Sequence, residues 1–361
     1  MNPNAFKPIV ISQKGGGLCN SLFNIVNGII KNRDSIILID EIYTDYSKEN
    51  KCCISDFLDL EETNKGLKEM FGKVCLIDRF KCDLKILSCS YGCEDRRVDV
   101  TKYFTDGSLV ILKSWNLNTL FTDPCVGKVK ELRINYSIDD NLFTDTFSER
   151  LEEDIIWNTK IIEKDIWKFS KYNFLWYNAY DENLFRNVVT KLKFHKKFYA
   201  VCSKICLDVL KGKNKINVIH LRIEEDAIIH WSKQNRCLDK EFEKILQEKY
   251  LNLVRTNIPK GESILILSYI KESHPFLAEL RKDHDIILID KEKYLNTADR
   301  ELSAVIDLIL STYCSGIFIG NHNFKLKRGS TFSYVISCLR PQQPKIFIDL
   351  DDIHLNPVHI L

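Results

Sequence analysis

Ile216–Asp226 reads INVIHLRIEED, and this stretch decides the fold. A β-branched apolar pair, Val218-Ile219, stops at His220-Leu221-Arg222 and gives way to Glu224, Glu225 and Asp226. A short β-branched run is what a strand buried on both faces of a parallel sheet requires, and open α/β sheets bind their ligands beyond the carboxyl ends of such strands. A fixed cation at that point predicts an anionic ligand. The acids that follow predict a polar partner for it.

Working outward, the same pattern recurs. Ser263–Ser268, Asp285–Asp290, Gly316–Gly320 and Lys345–Asp349 read as further strands. Helical spacing over about Leu238–Thr256, Pro275–Lys282, Ala298–Tyr313 and Ser330–Leu339 alternates with them, which predicts a parallel sheet covered on both faces. The amino-terminal part repeats the theme: strand Lys7–Ser12, turn Gly15-Gly16-Gly17, helix Leu18–Lys31, strand Ser35–Asp40. Lys73–Asp78 and Ser108–Ser114 are further strand candidates, and Phe147–Leu210 carries helical periodicity with Trp157, Trp167 and Trp176. The expectation is an α/β chain of two units, residues 1–205 and 206–361.

With 361 residues, two domains are natural. A net charge of +2 gives no electrostatic case for nucleic acid, and no window approaches an apolar membrane span. The start, MNPNAFKPIVIS, lacks the pattern of a secretory signal. The thirteen cysteines show no paired CxxC spacing, so reduced thiols in a cytoplasmic protein are expected, with a metal site near Cys75, Cys82, Cys89 and Cys93 as the lesser alternative.

Four features can carry chemistry. Gly15–Asn20 lies between a strand and a helix, where glycines let a phosphate or sugar approach the helix start. It is one residue from G-x-G-x-x-G, with Asp40 where a ribose-binding acid would sit, and an ordinary tight turn reads the same way. His220-x-Arg222 offers a guanidinium that forks onto phosphate, or an internal ion pair with Glu224 or Asp226. Asp307, an acid within an apolar helical run, needs a partner and has the donor-accepting chemistry to read guanine. Ser330-Thr331-Phe332-Ser333 opens a helix, either as a simple cap or as a phosphate seat.

Together these islands resemble the fucosyltransferase superfamily of the GT-B type, most closely its protein O-fucosyltransferase-like group. Gly16-Gly17-Leu18-Cys19-Asn20 matches its glycine-rich turn, and His220-Leu221-Arg222 followed by Glu225 or Asp226 matches its H-L-R motif. Asp307-Leu308, Phe318-Ile319-Gly320-Asn321 and Ser330-Thr331-Phe332-Ser333 match its carboxyl-terminal motifs. The resemblance implies two Rossmann-like domains facing across a cleft and an inverting, metal-independent transfer from GDP-fucose to a glycan or protein hydroxyl. It implies that Arg222 holds the β-phosphate and that His220 and Asp307 contact the nucleotide. Ser330, Thr331, Phe332 and Ser333 would form the diphosphate and base pocket, while Gly16, Gly17 and Asn20 would face sugar and acceptor. Asp226 is the first candidate for a general base and Glu225 the second. No cofactor or metal is expected beyond the GDP-sugar substrate. His322–Gly329 is longer than the family's usual link, and its basic residues would either close over a phosphate or displace the pocket. The alternatives are a rhamnosyltransferase or other user of a different nucleotide sugar, an NAD(P)-dependent oxidoreductase built on Gly15–Asn20 and Asp40, and a non-catalytic glycan-binding protein.

Overall fold

The computed structural model describes residues 9–11, 17–33, 36–39, 42–43, 51–72, 74–78, 81–104, 108–111, 116–139, 141–150, 155–158, 182–213, 215–297, 299–323 and 328–360. Three parallel strands begin the chain, β1 (Ile9–Ile11), β2 (Ile36–Ile39) and β3 (Cys75–Asp78), with β2 in the middle. Helix α1 (Leu18–Lys31) joins β1 to β2, and α2 (Leu60–Phe71) precedes β3. Every residue of α1 except Asn20 and Lys31 is buried, so this helix is enclosed on all sides rather than on one stripe.

An antiparallel sheet follows, built from β4 (Leu84–Cys93), β5 (Arg96–Asp99), β6 (Glu131–Ile138) and β7 (Asn141–Ser148) in the order β7-β6-β4-β5. Glu131–Ile138 alternates polar and apolar residues, the pattern of a strand with one buried face. Cys93 and Cys125 form a disulfide beside this sheet, which corrects the expectation of reduced thiols at these two positions. The other eleven cysteines form no disulfide, and no group of three or more His, Cys, Asp or Glu is placed to hold a metal among the described residues. The helical reading of Phe147–Leu210 also needs correction. Ile155–Asn158 is a strand paired antiparallel with Ser108–Ile111, while Trp167 and Trp176 lie outside the described residues. Helices α3 (Glu182–Lys191) and α4 (Lys196–Ile205) come next, and α4 runs on as a π-helical turn through Leu210.

The second parallel sheet contains β8 (Asn217–His220), β9 (Ser263–Leu267), β10 (Asp285–Ile287), β11 (Phe318–Asn323), β12 (Lys345–Ile348) and β13 (Val358–Ile360). Their order is β10-β9-β8-β11-β12-β13, all parallel except the edge strand β13. Helices α5 (Glu225–Asn235) and α6 (Asp239–Asn257) follow β8, α7 (Arg300–Tyr313) precedes β11, and α8 (Thr331–Leu339) joins β11 to β12.

The strands explain why the sheet must be covered twice. Val218, Leu265, Phe318 and Phe347 enter one core with α1, α7 and α8. Their neighbours Ile219, Ile264, Ile319 and Ile346 enter another with Phe242, Leu246 and Tyr250 of α6. Successive side chains point to opposite faces, so an unbroken apolar run fits only a strand buried on both. No helix is long and apolar enough to cross a membrane among the described residues.

The two parallel sheets are joined through helices. Phe23 of α1, Phe185 of α3 and Tyr334 of α8 meet with ring centroids 4.6, 5.3 and 5.4 Å apart. Phe185 is fully buried between the two halves. Phe185→Ala should therefore cost about 3–5 kcal/mol of unfolding free energy, measured by chemical denaturation. A loss below about 1 kcal/mol would show that this junction does not hold the halves together.

Candidate active site

The order of the second sheet reverses at β8, whose neighbours are β9 on one side and β11 on the other. Crossover helices leave the sheet in opposite directions at such a point and open a crevice beyond the strand ends. A cavity of about 150 Å3 lies there, lined from both halves of the chain. Gly17, Leu18, Cys19 and Asn20 come from the start of α1, and His220, Arg222 and Glu224 from the end of β8. Ser268 and Tyr269 follow β9, Arg300, Glu301 and Asp307 belong to α7, and Ser330, Thr331 and Phe332 open α8.

Parting strands leave backbone groups unpaired, and Tyr250 of α6 meets them. Its buried hydroxyl lies 2.8 Å from the carbonyl oxygen of His220, receives the N–H of Arg222 at 3.2 Å, and touches the side-chain amide of Asn321 on β11. Gly320 allows the next contact, because a Cβ there would lie 2.9 Å from Ser333 Oγ. Ser333 Oγ instead accepts the N–H of Asn321 at 2.9 Å and sits 2.7 Å from His220 Nδ1. The Ser333 hydroxyl has a donor and a second lone pair to offer Nδ1, and in the tautomer where it donates, the ring proton is on Nε2. Burial, reinforced by the charges of Arg222 and Lys291, pushes the His220 pKa down to about 3, so the ring is neutral. Phe332 closes on it with a centroid distance of 4.8 Å.

Arg222 is held by both acids that bracket it. Its guanidinium donates to Glu224 at 2.9 Å and to Asp226 at 3.1 Å. Burial works against the charge, but the two carboxylates overcome it and leave the Arg222 pKa raised. Asp226 loses some solvation, yet Arg222 holds its carboxyl below the usual range. Asp226 is half exposed and Glu225 exposed at the start of α5, and neither lines the cavity. Glu224 does line it, and its second oxygen accepts from Ser268 at 3.0 Å.

Asp307 is buried, and Lys291 binds one of its oxygens at 2.5 Å. Burial raises its pKa despite that partner. Lys291 and Arg300 also lie over the ring of Tyr269, at 5.5 and 5.8 Å from its centroid.

At α8, Ser330 caps the helix by accepting the N–H of Ser333 at 3.3 Å. The N–H groups of Thr331 and Phe332, in the first turn, have no acceptor within their own helix. Thr331 donates to Asn20 of α1 at 2.6 Å, tying the two helix starts together. The start of α1 is occupied from the opposite half: Glu301 accepts the N–H of Leu18 at 2.5 Å. Gly17 makes this approach possible, since a Cβ there would lie 2.9 Å from Glu301 Oε1.

The structure thus brings Gly17, Asn20, His220, Arg222, Asp307, Ser330, Thr331 and Phe332 to one cavity, with Ser333 just behind it. Gly15, Gly16 and Asp40 lie outside the described residues. His322 and Asn323 pair with Gly329 and Arg328 as a short antiparallel ladder, and residues 324–327 between them are likewise outside. Tyr250, Tyr269, Lys291 and Glu301 were not singled out by motif, because each reaches the site only through tertiary contacts.

No family model matches the chain, and no curated protein matches it. Among solved structures, the NodZ alpha-1,6-fucosyltransferase soaked with GDP-fucose aligns over 99% of this chain and 98% of its own, with 13% identity and a TM-score of 0.50. NodZ from Bradyrhizobium in its Se-Met form covers the same shares at 15% identity and a TM-score of 0.48. The apo form of POFUT1 aligns over 96% of this chain and 98% of its own, at 12% identity and a TM-score of 0.46. At such identities the likeness is one of fold. The chain is a GT-B-type α/β protein with two Rossmann-like units facing across a cleft, and the fold expected from the resemblance is the fold observed.

The neutral histidine makes a testable demand. Its folded pKa lies below the unfolded value, so the unfolded chain binds more protons between about pH 3 and pH 6.5. The stability linked to it is present above about pH 6.5 and falls as pH drops through that window. His220→Gln should make the acid side of the stability–pH curve shallower by up to about 1.4 kcal/mol per pH unit, read from denaturant midpoints at pH 4 to 7. Parallel curves for variant and wild type would contradict a buried neutral His220.

Proposed function

We propose that this chain is an inverting glycosyltransferase that moves L-fucose from GDP-fucose to a hydroxyl of a glycan or protein. One observation carries the proposal: a guanidinium clamped by two carboxylates shares a cavity with the hydroxyl-rich start of α8, at the point where the parallel sheet reverses. Arg222 has five N–H donors, of which Glu224 and Asp226 engage two. The rest can meet the oxygens of a diphosphate, together with the first N–H groups of α8. The fold shared with NodZ, a fucosyltransferase solved after soaking with GDP-fucose, supports that donor.

In this mechanism residues 206–361 hold the nucleotide sugar and residues 1–205 receive the acceptor. The acceptor oxygen attacks the anomeric carbon from the face opposite the diphosphate. Arg222 and the α8 start stabilise the charge on the departing GDP more than on the bound donor, which is what accelerates the step. The proposal assigns no step to a metal or cofactor. His220 offers its Nε2 proton as a hydrogen-bond donor to the nucleotide. Asp307 reads guanine with the oxygen that Lys291 leaves open.

That shared carboxylate is also what favours a second reading, a different nucleotide sugar whose base does not need Asp307. The oxidoreductase reading is disfavoured by position: Glu301 occupies the N-terminus of α1, where a dinucleotide pyrophosphate would have to sit. A cytoplasmic setting goes with the proposal: eleven cysteines outside any disulfide, five of them buried, support it, while the Cys93–Cys125 disulfide weighs the other way. Thiol counting by mass spectrometry without reductant is expected to find Cys93 and Cys125 unlabelled after denaturation and the other eleven labelled. Disulfides elsewhere would argue for an oxidising compartment.

Thermal-shift titration tests the donor. GDP is expected to raise the melting temperature and UDP to leave it unchanged, because a ligand for the folded state stabilises it. Stabilisation by UDP alone would reject GDP-fucose. Arg222→Ala is expected to lower kcat for GDP release from GDP-fucose by about 100-fold or more. Activity within a few-fold of wild type would reject Arg222 as the leaving-group anchor, and GDP binding with no turnover at all would leave a binding protein.

A further inference from the structure

The transferase reading needs a group to take the acceptor's proton, and the sequence candidates do not reach the cleft. Asp226 is drawn to Arg222, and Glu225 is exposed beside it. Three carboxylates line the cavity instead: Glu224, Glu301 and Asp307. Glu224 is committed to Arg222 and Ser268, and Asp307 to Lys291. Glu301 differs from both. Among the described residues it forms no salt bridge with lysine or arginine. Its Oε2 accepts the N–H of Leu18, and its Oε1 has no hydrogen-bond partner there.

We propose that Glu301 is the catalytic base of the transfer, held at the seam between the two halves by the N-terminus of α1 and accepting the acceptor's proton on Oε1. This assignment rests on the GDP-sugar reading above. The location suits the task, since Glu301 belongs to the nucleotide-side unit yet faces α1 of the acceptor-side unit. A Cβ at residue 17 would lie 2.9 Å from Oε1 and 3.0 Å from Oε2, so the glycine leaves the carboxylate room. Leu18 N–H fixes one oxygen and so aims the other, an arrangement that orients the group without neutralising it. Asp299 caps the same turn of α7 by accepting from the N–H groups of Glu301 and Leu302 at 2.8 and 2.9 Å, which holds the side chain's origin in place.

The step balances simply. The acceptor O–H gives its proton to Glu301, and the oxygen's electron pair forms the bond to the anomeric carbon. The bond from that carbon to the β-phosphate oxygen breaks, and its electrons leave with GDP. Burial raises the proton affinity of Glu301, against the Leu18 N–H and Arg300, which lower it, and with Asp299, which adds to it. Cys19 of α1, Cys52 and Tyr269 are the other titratable groups that sense this carboxylate.

Glu301→Gln is the direct test, because an amide oxygen can still accept the Leu18 N–H while the base is lost. The probe is GDP release from GDP-fucose with water as acceptor, followed from pH 5 to 8, beside GDP binding by thermal shift. The expected result is a fall in kcat of about 100-fold or more, in the range for general bases, with GDP binding unchanged and the acid limb of the pH–rate profile removed. Glu301→Asp should recover part of the rate and restore the acid limb. Azide, which attacks without shedding a proton, should accept fucose at similar rates in wild type and Glu301→Gln. A Glu301→Gln enzyme within three-fold of wild type, or one whose azide reaction falls as far as its hydrolysis, overturns the assignment while leaving the donor reading intact. A wild type that neither binds GDP nor releases it overturns the donor reading, and this assignment with it.

Discussion

Two parallel strands that diverge at a sheet's reversal leave buried backbone groups without partners, and the site depends on how that deficit is met. An unpaired buried donor or acceptor costs about 1–3 kcal/mol, too much for the strand ends to be left open. Tyr250 supplies the solution from α6, with one hydroxyl touching the His220 carbonyl, the Arg222 N–H and the Asn321 amide. Once that hydroxyl is in place, the His220–Arg222 segment has a fixed course. His220 then meets Ser333, and Arg222 turns toward Glu224 and Asp226. The chemistry of the cleft therefore rests on a tyrosine that does not line it.

Charge follows the same logic. A half-buried guanidinium needs compensation before any ligand arrives, and Glu224 and Asp226 provide it. Lys291 does the same for Asp307. The cavity is thus a set of opposed charges held in fixed geometry, suited to a ligand that is anionic at one end and polar at the other. In the proposed transfer such preorganisation would spare the reaction the cost of reorienting dipoles as the diphosphate departs. Glu301 is the exception, with a helix N-terminus as its counterweight and no cation bound to it among the described residues.

What could be read from the chain follows from how each element is buried. Strands such as Val218-Ile219 and Ile264–Leu267 are covered on both faces, so their sequences are continuous apolar runs and their positions are plain. The antiparallel sheet is half-exposed: Glu131–Ile138 alternates polar and apolar residues strictly, so this strand was legible in the chain, whereas Arg96–Asp99 is mostly polar and does not stand out. The pairing of Arg222 with Asp226 is local and was legible as an alternative. Glu301 was not, because an acid in the first turn of a helix ordinarily serves that helix's own dipole. Its contact with Leu18 spans 283 positions and exists only once both halves have folded. At the start of α1 the glycines suggest room for a ligand's phosphate or sugar, and the same long-range contact places the Glu301 carboxylate beside Gly17 and Leu18.

The most direct measurement is the structure of the protein with GDP bound. The β-phosphate is expected within hydrogen-bonding distance of the Arg222 guanidinium and the first N–H groups of α8, with guanine against Asp307. A diphosphate seated on the Gly15–Asn20 turn, with Glu301 displaced and Arg222 still closed on Glu224 and Asp226, would contradict it.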